Sequence, residues 1–214
     1  FELIQGFPRV NDALELLVLA RDNDGPNRNW AFLSISDSGI THLGSDYPGF
    51  DLENFSLSGA AADFNNTGEA FITAVDGADG LRKLLRLSPG NSHEVLLTSV
   101  VLNSPEFLAG GIVISNFVKT NNLGDVFFVG RGSGSGFGLY KYVAPDSADL
   151  LIGNLTPGQF FNNWAVNDQG ALVRAGNGEV ILIDKNGAQS TAYDAAANGE
   201  SVVWVDMNNW GDIV

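Results

Sequence analysis

Short apolar segments alternate with polar corners along the whole chain. A pair of the form Asn-(Asn or Asp) recurs five times in one setting, with two adjacent apolar residues five and six positions after its first asparagine. The pairs are Asn11-Asp12, Asn65-Asn66, Asn121-Asn122, Asn167-Asp168 and Asn208-Asn209. They follow one another at intervals of 54, 56, 46 and 41 residues, which indicates an internal repeat.

Each asparagine pair has the residues of a tight turn. Three positions after the first asparagine stands a glycine in four copies, and Leu14 in the remaining one. Asparagine at the first position of a type I turn bonds its own downstream backbone, and glycine at the fourth supplies a positive φ. A small residue follows at the ninth position, as Ala20, Ala74, Gly130 or Gly176. Each copy therefore predicts a hairpin that bends at the asparagine pair.

Two more strands are predicted after each hairpin. The third strand of the unit is expected at 30–35, 81–87, 139–143 and 180–183. The fourth is expected at 40–43, 94–98, 149–152 and 188–192, beyond turn residues such as Asp37-Ser-Gly39. Residues 12–20, whose leucines could also form a helical turn, are assigned to a strand by alignment with the other copies.

This pattern predicts an all-β chain that forms one domain, a β-propeller-like array of four-stranded antiparallel blades. The repeats lie near 10–47, 48–104, 105–156 and 157–197, and a partial unit at 198–214 is completed by residues 1–9 to give five blades. Two alternatives stay open: the chain is an excerpt of a longer array, or its terminal strands are exchanged between molecules to make filaments.

Composition excludes some classes of partner. The 25 acidic and 11 basic side chains give a formal charge of −14, which repels nucleic acid and anionic membrane surfaces. There is no cysteine for disulfides or thiolate metal sites, and no apolar run reaches the length of a membrane-spanning helix. The chain begins at Phe1, so we expect that a signal peptide is already removed or lies outside this sequence.

The Asn-(Asn/Asp)-x-Gly-x-apolar-apolar repeat, with stretches such as Trp30-Ala-Phe-Leu33 and Thr41-His-Leu-Gly44, resembles two groups of bacterial extracellular proteins. These are the tandem NxxGxxxF-repeat proteins, often anchored by a C-terminal sorting signal, and the HAF-repeat proteins. The resemblance implies an exported, propeller-like surface protein without a known set of catalytic residues.

Two places in the chain are candidates for calcium. In Asp22-Asn-Asp24-Gly-Pro-Asn27, alternating oxygen-bearing side chains before a glycine could surround the ion, although a polar hairpin loop has the same composition. The segment Asp63-Phe-Asn65-Asn-Thr-Gly68 resembles the start of the calcium loops in integrin-type blades. Phe71 replaces the aspartate that closes those loops. Apart from calcium, the sequence predicts no cofactor.

Exposed aromatic side chains are the candidate ligand-binding residues, because their rings can stack on sugar faces. They also fit core packing between sheets. The residues are Trp30, Phe160 with its neighbour Phe161, Trp164, Trp204 and Trp210. Three sequons, at Asn54, Asn65 and Asn154, are candidates for glycosylation in a secreted protein.

Other local patterns favour structural roles. The glycine-rich segment Gly130–Gly138 is followed by a predicted strand instead of a helix, so it is interpreted as a hairpin linker and not as a phosphate-binding loop. The two histidines, His42 and His93, lie near the starts of short strands, have no catalytic motif around them and are predicted at the surface.

Every recurrent residue thus has a structural explanation, and none has an evident chemical one. The sequence predicts a non-enzymatic extracellular or cell-surface module for structure, adhesion or assembly. Its partners would be other copies of itself, or surface polysaccharide or protein. The first alternative is a propeller-type polysaccharide hydrolase or lyase, since carboxylates brought together from different blades are invisible in sequence. The second is a filament subunit.

Overall fold

The asparagine pairs mark the points where the chain turns back. The computed structural model describes residues 3–21, 29–48, 51–90, 92–134, 136–155, 164–176, 178–202 and 205–214. In all five pairs the fourth residue of the turn donates its backbone N–H to the carbonyl of the first asparagine, at 3.0–3.3 Å. Gly68, Gly124, Gly170 and Gly211 have φ between 75° and 90°, as the turn type requires. The predicted corners are therefore confirmed.

Sixteen strands form four antiparallel sheets in the described part of the chain. Sheet 1 contains β1 (Leu3–Val10), β2 (Leu16–Arg21), β3 (Trp30–Ser36) and β4 (Gly39–Ser45). Sheet 2 contains β5 (Phe55–Phe64), β6 (Ala70–Asp76), β7 (Arg82–Ser88) and β8 (Ser92–Thr98). Sheet 3 contains β9 (Ile112–Thr120), β10 (Val126–Gly132), β11 (Gly136–Ala144) and β12 (Ser147–Leu155). Sheet 4 contains β13 (Trp164–Val166), β14 (Leu172–Gly176), β15 (Glu179–Ile183) and β16 (Gln189–Asp194).

Each sheet is a meander in which consecutive strands pair, as four strands per repeat predict. The asparagine corner always joins the first and second strands, for example β9 and β10. Residues 16–21 are a strand and not a helical turn. The glycine-rich segment is the hairpin between β10 and β11, as predicted.

Residues 1–9 were expected to complete the partial last unit, but the structure places their described part elsewhere. Leu3–Val10 pairs with Leu16–Arg21 and is the first strand of sheet 1. The last unit, over its described residues, contributes one isolated bridge between Met207 and Ile213. The reason is local: the Asn11 corner closes a hairpin between adjacent segments, which costs far less loop entropy than a pairing across the whole chain.

Two short helical segments were not predicted. The helix α1 (Pro105–Leu108) lies in the link between sheets 2 and 3, and a single 3₁₀ turn covers Ala196–Asn198. Ser104 caps α1 by accepting the backbone N–H of Phe107 at 3.1 Å. Neither segment is long enough to cross a bilayer, and no other helix in the described ranges is.

The paired apolar residues after each corner are explained by packing on both faces of the second strand. In β10, Val126 and Phe128 belong to the core shared with sheet 2, whereas Phe127 belongs to the core shared with sheet 4. In β14, Leu172 faces sheet 3 and Val173 packs with Val205 from the last unit. The sheets therefore stack in chain order, each face against the next, and the last unit packs on sheet 4.

The small residue at the ninth position is needed where the first strand approaches the second. A Cβ on Gly130 would lie 2.6 Å from the Ile112 side chain of β9, too close for any real contact. The register of the two strands shifts at this point, between Phe128 and Gly130.

Candidate functional site

The five corners gather at one place in the molecule, and we call them the corner cluster. The cluster comprises residues 11–14, 65–68, 121–124, 167–170 and 208–211. Each first asparagine bonds its own corner. The Asn121 Oδ1, for example, accepts the backbone N–H groups of Leu123 at 3.1 Å and of Asp125 at 2.9 Å. The side chain thus replaces solvent for backbone groups that the turn leaves unpaired.

A carboxylate four positions after the first asparagine completes four of the corners. The Asn121 Nδ2 donates to Asp125 Oδ2 at 3.1 Å, and the same bond is made in the other three corners that have an acid there. Those acids are Glu15, Glu69 and Asp212, whereas the fourth corner has Ala171. The sequence interpretation missed these residues, although the acid at a constant offset is visible in the repeat.

The corners also bond one another in chain order. In each of the first four corners the second residue of the pair donates its backbone N–H to the side-chain oxygen of the second residue in the next corner. These bonds join Asp12 to Asn66 at 2.7 Å, Asn66 to Asn122 at 3.0 Å, Asn122 to Asp168 at 2.8 Å and Asp168 to Asn209 at 3.1 Å. These bonds hold the corners of successive sheets side by side.

Asp12 lies at the centre of the corner cluster. Its Oδ2 accepts the side-chain amides of Asn66 at 3.1 Å, Asn122 at 2.9 Å and Asn209 at 3.1 Å. Asn209 is 197 residues away in the chain, so this atom joins the first corner to the last. Three amide donors on one carboxylate oxygen give a charge-assisted cluster that fixes how the corners sit together.

Large apolar side chains surround this polar centre. Trp210 is 85% exposed, Leu14 is 80% exposed and Leu123 is 74% exposed, and each stands two or three positions after the first asparagine of its corner. Val10, immediately before the first corner, is also exposed. Such side chains concentrated at one end of a structure are typical of an interaction surface.

A layer of charged residues lies two positions before the first asparagines, at Arg9, Asp63, Lys119 and Asp206. The Arg9 Nε lies 3.7 Å from Asp63 Oδ1, and Asp63 Oδ2 accepts the Thr120 backbone N–H at 2.8 Å. Burial lowers the pKa of Lys119, and the nearby Asp63 and Asp206 carboxylates oppose that shift. The sequence interpretation did not identify this layer as a repeated position.

The predicted aromatic ligand-binding residues have different locations. Trp30 and Trp164 are each 5% exposed and lie in the cores between sheets, so the expectation that their rings are available for stacking is not met. The guanidinium of Arg21 covers Trp30 with its Cζ 5.5 Å from the ring centroid. Phe160 and Trp204 lie outside the described residues. Trp210 is exposed on the last corner.

The predicted metal ligands are described only in part. Asp22, Asp24 and Asn27 lie outside the described residues, and the calcium hypothesis for them stays a prediction. Asp63 holds the Thr120 backbone, while Asn65 donates to Glu69 and accepts N–H groups of its own turn. Within the described ranges, no group of three or more histidine, aspartate or glutamate residues is placed to hold a metal ion.

The candidate glycosylation sites differ in accessibility. Asn54 and Asn154 are exposed. Asn65 is 1% exposed and its amide nitrogen donates to Glu69 at 3.0 Å, so a glycan on Asn65 is incompatible with this structure. Sequon matching alone could not distinguish a corner asparagine from a surface one.

The two histidines occupy equivalent strands, β4 and β8. His93 Nδ1 lies 3.4 Å from Asp51 Oδ2, and the imidazole meets the Phe55 ring edge to face at 5.7 Å between centroids. Asp51 belongs to the link between sheets 1 and 2, so this contact holds the link against sheet 2. His42 has intermediate burial.

Comparison with known proteins adds no assignment, because neither a family model nor a curated protein matches the chain.

Proposed function

We propose that this chain is a non-enzymatic extracellular or cell-surface adhesion module. Its corner cluster is the binding face, and neutral polysaccharide is its ligand. The proposal also takes the four sheets and the last unit as five blades of a propeller-like ring, in keeping with the resemblance to exported repeat proteins.

The bond between Asn209 and Asp12 supports the ring. It joins the two ends of the stack at the level where the other corners join each other. One face of sheet 1 carries an apolar cluster that includes Val18 and Leu33, and the last unit has a face on which Val214 is 81% exposed. A ring brings these two faces together.

One observation carries the proposed activity. The recurrent amides and carboxylates of the corners are used in bonds to one another, while Trp210, Leu14 and Leu123 stand exposed around them. The corner cluster is therefore a preorganised platform that presents apolar side chains to solvent. Binding to a preorganised surface avoids the cost of ordering side chains on association.

Charge and side-chain chemistry favour neutral polysaccharide as the ligand. An exposed tryptophan stacks on the apolar face of a pyranose ring, and the exposed Asp12 carboxylate has a second oxygen, besides the bonded Oδ2, that accepts hydrogen bonds from hydroxyls. The net charge of −14 disfavours anionic glycans and close approach of a second copy.

The test is co-sedimentation of the protein with insoluble neutral glucans and chitin, followed by titration with soluble fragments of any polysaccharide that binds. We expect Trp210→Ala to weaken binding about tenfold or more, since one aromatic stack contributes on the order of 1 kcal/mol or more beyond burial. Leu108→Ala is the matched control, because Leu108 is 68% exposed but lies on α1 and not in the corner cluster.

Two results would contradict the proposal. One is equal binding by the wild type and Trp210→Ala. The other is self-association in sedimentation velocity with no polysaccharide bound, which would favour the filament alternative.

The charged layer favours a second candidate, the polysaccharide hydrolase or lyase. The Asp63 and Asp206 carboxylates both raise the pKa of Lys119 against the lowering by burial, so two carboxylates lie near one amine. Release of reducing or unsaturated sugar ends during the same incubations would favour this enzyme over the adhesion module.

A further inference from the structure

The link between sheets 2 and 3 departs from the repeat. It spans residues 99–111, whereas sheets 1 and 2 are joined by 46–54 and sheets 3 and 4 by 156–163. The longer link contains α1 and forms one wall of a cleft of about 600 Å³ between the two sheets. None of the residues that line this cleft belongs to the corner cluster.

The wall formed by the link is rigid. Phe107 of α1 is 5% exposed, and the Gly111 backbone N–H donates to the Glu106 carbonyl at 2.8 Å. A Cβ on Gly111 would lie 2.8 Å from that carbonyl and 2.8 Å from the Val100 side chain, so only glycine allows the link to close this tightly. The Val100 N–H bonds the Ile112 carbonyl at 3.0 Å. The cleft is therefore preformed.

The opposite wall is the turn between β11 and β12. The Asp146 backbone N–H donates to the Leu96 carbonyl of β8 at 3.2 Å, which fixes this turn against sheet 2. Asp146 has a φ of 56°, a conformation that aspartate tolerates better than most residues. The bond across the sheets holds the aspartate beside the cleft.

The lining of the cleft combines apolar surface with negative charge. Leu81, Leu97, Val100, Val101 and Ile112 supply the apolar lining. The charged residues among the lining are Glu106 and Asp146, both acids. The backbone N–H of Glu106 and the Ser104 hydroxyl lower the pKa of the Glu106 carboxyl, which is therefore ionised at neutral pH.

We propose that this cleft binds a small organic cation, an ammonium or guanidinium group carried on an apolar body. The apolar body lies against the leucine and valine side chains while the cation pairs with Glu106 and Asp146. The volume is within the range of about 300–1,000 Å³ that is usual for small-molecule sites, and rigid segments bound it on both sides. The site is independent of the corner cluster and of the polysaccharide proposal.

The experiment compares three probes of one shape by calorimetry and by chemical-shift perturbation: phenethylammonium, 2-phenylethanol and 3-phenylpropionate. We expect the ammonium to bind about tenfold more tightly than the alcohol, and the carboxylate to bind least, because two carboxylates line the site. Perturbed amides should map to residues 97–101, 106–112 and 146–148. Added salt should weaken the binding of the ammonium and leave the binding of the alcohol unchanged.

Variants separate the charge from the shape. Glu106→Gln and Asp146→Asn keep volume and backbone preference, and each should remove most of the advantage of the ammonium over the alcohol. Asp149→Asn, an exposed acid of β12 outside the lining, should leave binding unchanged. Ser147→Trp should block all three probes by filling the cleft, and unchanged melting would show that the variant is folded.

Equal binding of the ammonium and the alcohol would overturn the proposal, as would undiminished binding by Glu106→Gln and Asp146→Asn together. Binding of the peptide acetyl-Leu-Arg-Leu-amide without binding of phenethylammonium would also overturn it, since the cleft would then be a protein-docking site.

Discussion

Leu14 adopts the backbone conformation that the other four corners give to glycine. Its φ is 60°, and its side chain is 80% exposed, so little burial compensates for the strained backbone. A left-handed conformation costs a residue other than glycine about 1–3 kcal/mol. The first corner is therefore the least favourable of the five in its own backbone.

Replacing Leu14 by glycine should stabilise the protein. Relief of strain exceeds the entropy that glycine adds to the unfolded chain, so we expect the free energy of unfolding to rise by about 1 kcal/mol. Urea denaturation followed by tryptophan fluorescence measures the change. Leu123→Gly is the matched control, because Leu123 is equally exposed but has no positive φ, and it should lower stability. Destabilisation by Leu14→Gly would show that the leucine side chain makes contacts that outweigh the strain.

Residue-level prediction from sequence succeeded for the first asparagine of each corner and for the glycine of four corners, because their roles are local to the turn. It failed for Trp30 and Trp164, which looked available for ligands and are buried. Burial depends on which sheet lies opposite, and no local pattern contains that information.

At the scale of elements, the hairpin between β6 and β7 is held by an ion pair between Asp76 and Lys83. Asp76 Oδ2 accepts from the Lys83 ammonium at 2.5 Å, and Asp76 Oδ1 accepts the Ala78 backbone N–H at 2.8 Å. The bond from Lys83, followed by that from Ala78, lowers the pKa of Asp76 below its ordinary value of 3.8. Both side chains are mostly buried, at 13% and 15% exposure, so solvent screens the pair only weakly.

Asp76→Asn should therefore lower stability in a pH-dependent way. Because the folded pKa of Asp76 is depressed, its contribution is fully present above the unfolded value near 3.8 and is lost as pH falls through the folded pKa. We expect a loss of about 1–2 kcal/mol at pH 7 that shrinks below about pH 4. Urea denaturation at a series of pH values from about 2.5 to about 7 measures this loss of stability. A stability difference that does not depend on pH, or an equal loss in Asp149→Asn, would contradict a stabilising role of the Asp76–Lys83 ion pair.

The strands were predictable because second strands such as β2 and β10 are covered on both faces and therefore appear as unbroken apolar runs. The helix α1 was not predictable, since its four residues carry no periodic pattern and the helix forms where the Phe107 side chain is buried. The partner of Leu3–Val10 was also assigned wrongly, although the nearest hairpin was the simplest choice.

At the scale of the whole molecule, one atom pair reports whether the first and last units meet. The Asn209 side chain reaches Asp12 across 197 residues of sequence. In a double-mutant cycle of Asp12→Ala and Asn209→Ala, we expect a coupling free energy of about 1 kcal/mol, because the bond is to a charged group but is exposed to solvent.

The control cycle combines Asn209→Ala with Asp149→Ala, an exposed acid on the outer strand of sheet 3, and should give no coupling. Thermal or urea unfolding measures all variants. Zero coupling between Asp12 and Asn209 would mean that the two corners do not meet in solution, and would contradict a ring.

The sequence by itself determined the repeat, the hairpin corners and the apolar character of both strand faces, because each of these depends on residues within one turn or one strand. Tertiary structure alone decided that the five corners bond one another and that Asp12 joins the first corner to three others. It also decided that Arg9, Asp63, Lys119 and Asp206 form one layer and that a cleft opens beside α1. Those features join residues from different repeats, and their geometry follows from how whole sheets pack against one another. A linear pattern carries the period of a repeat, but the distances between its copies arise only when apolar faces have been buried together.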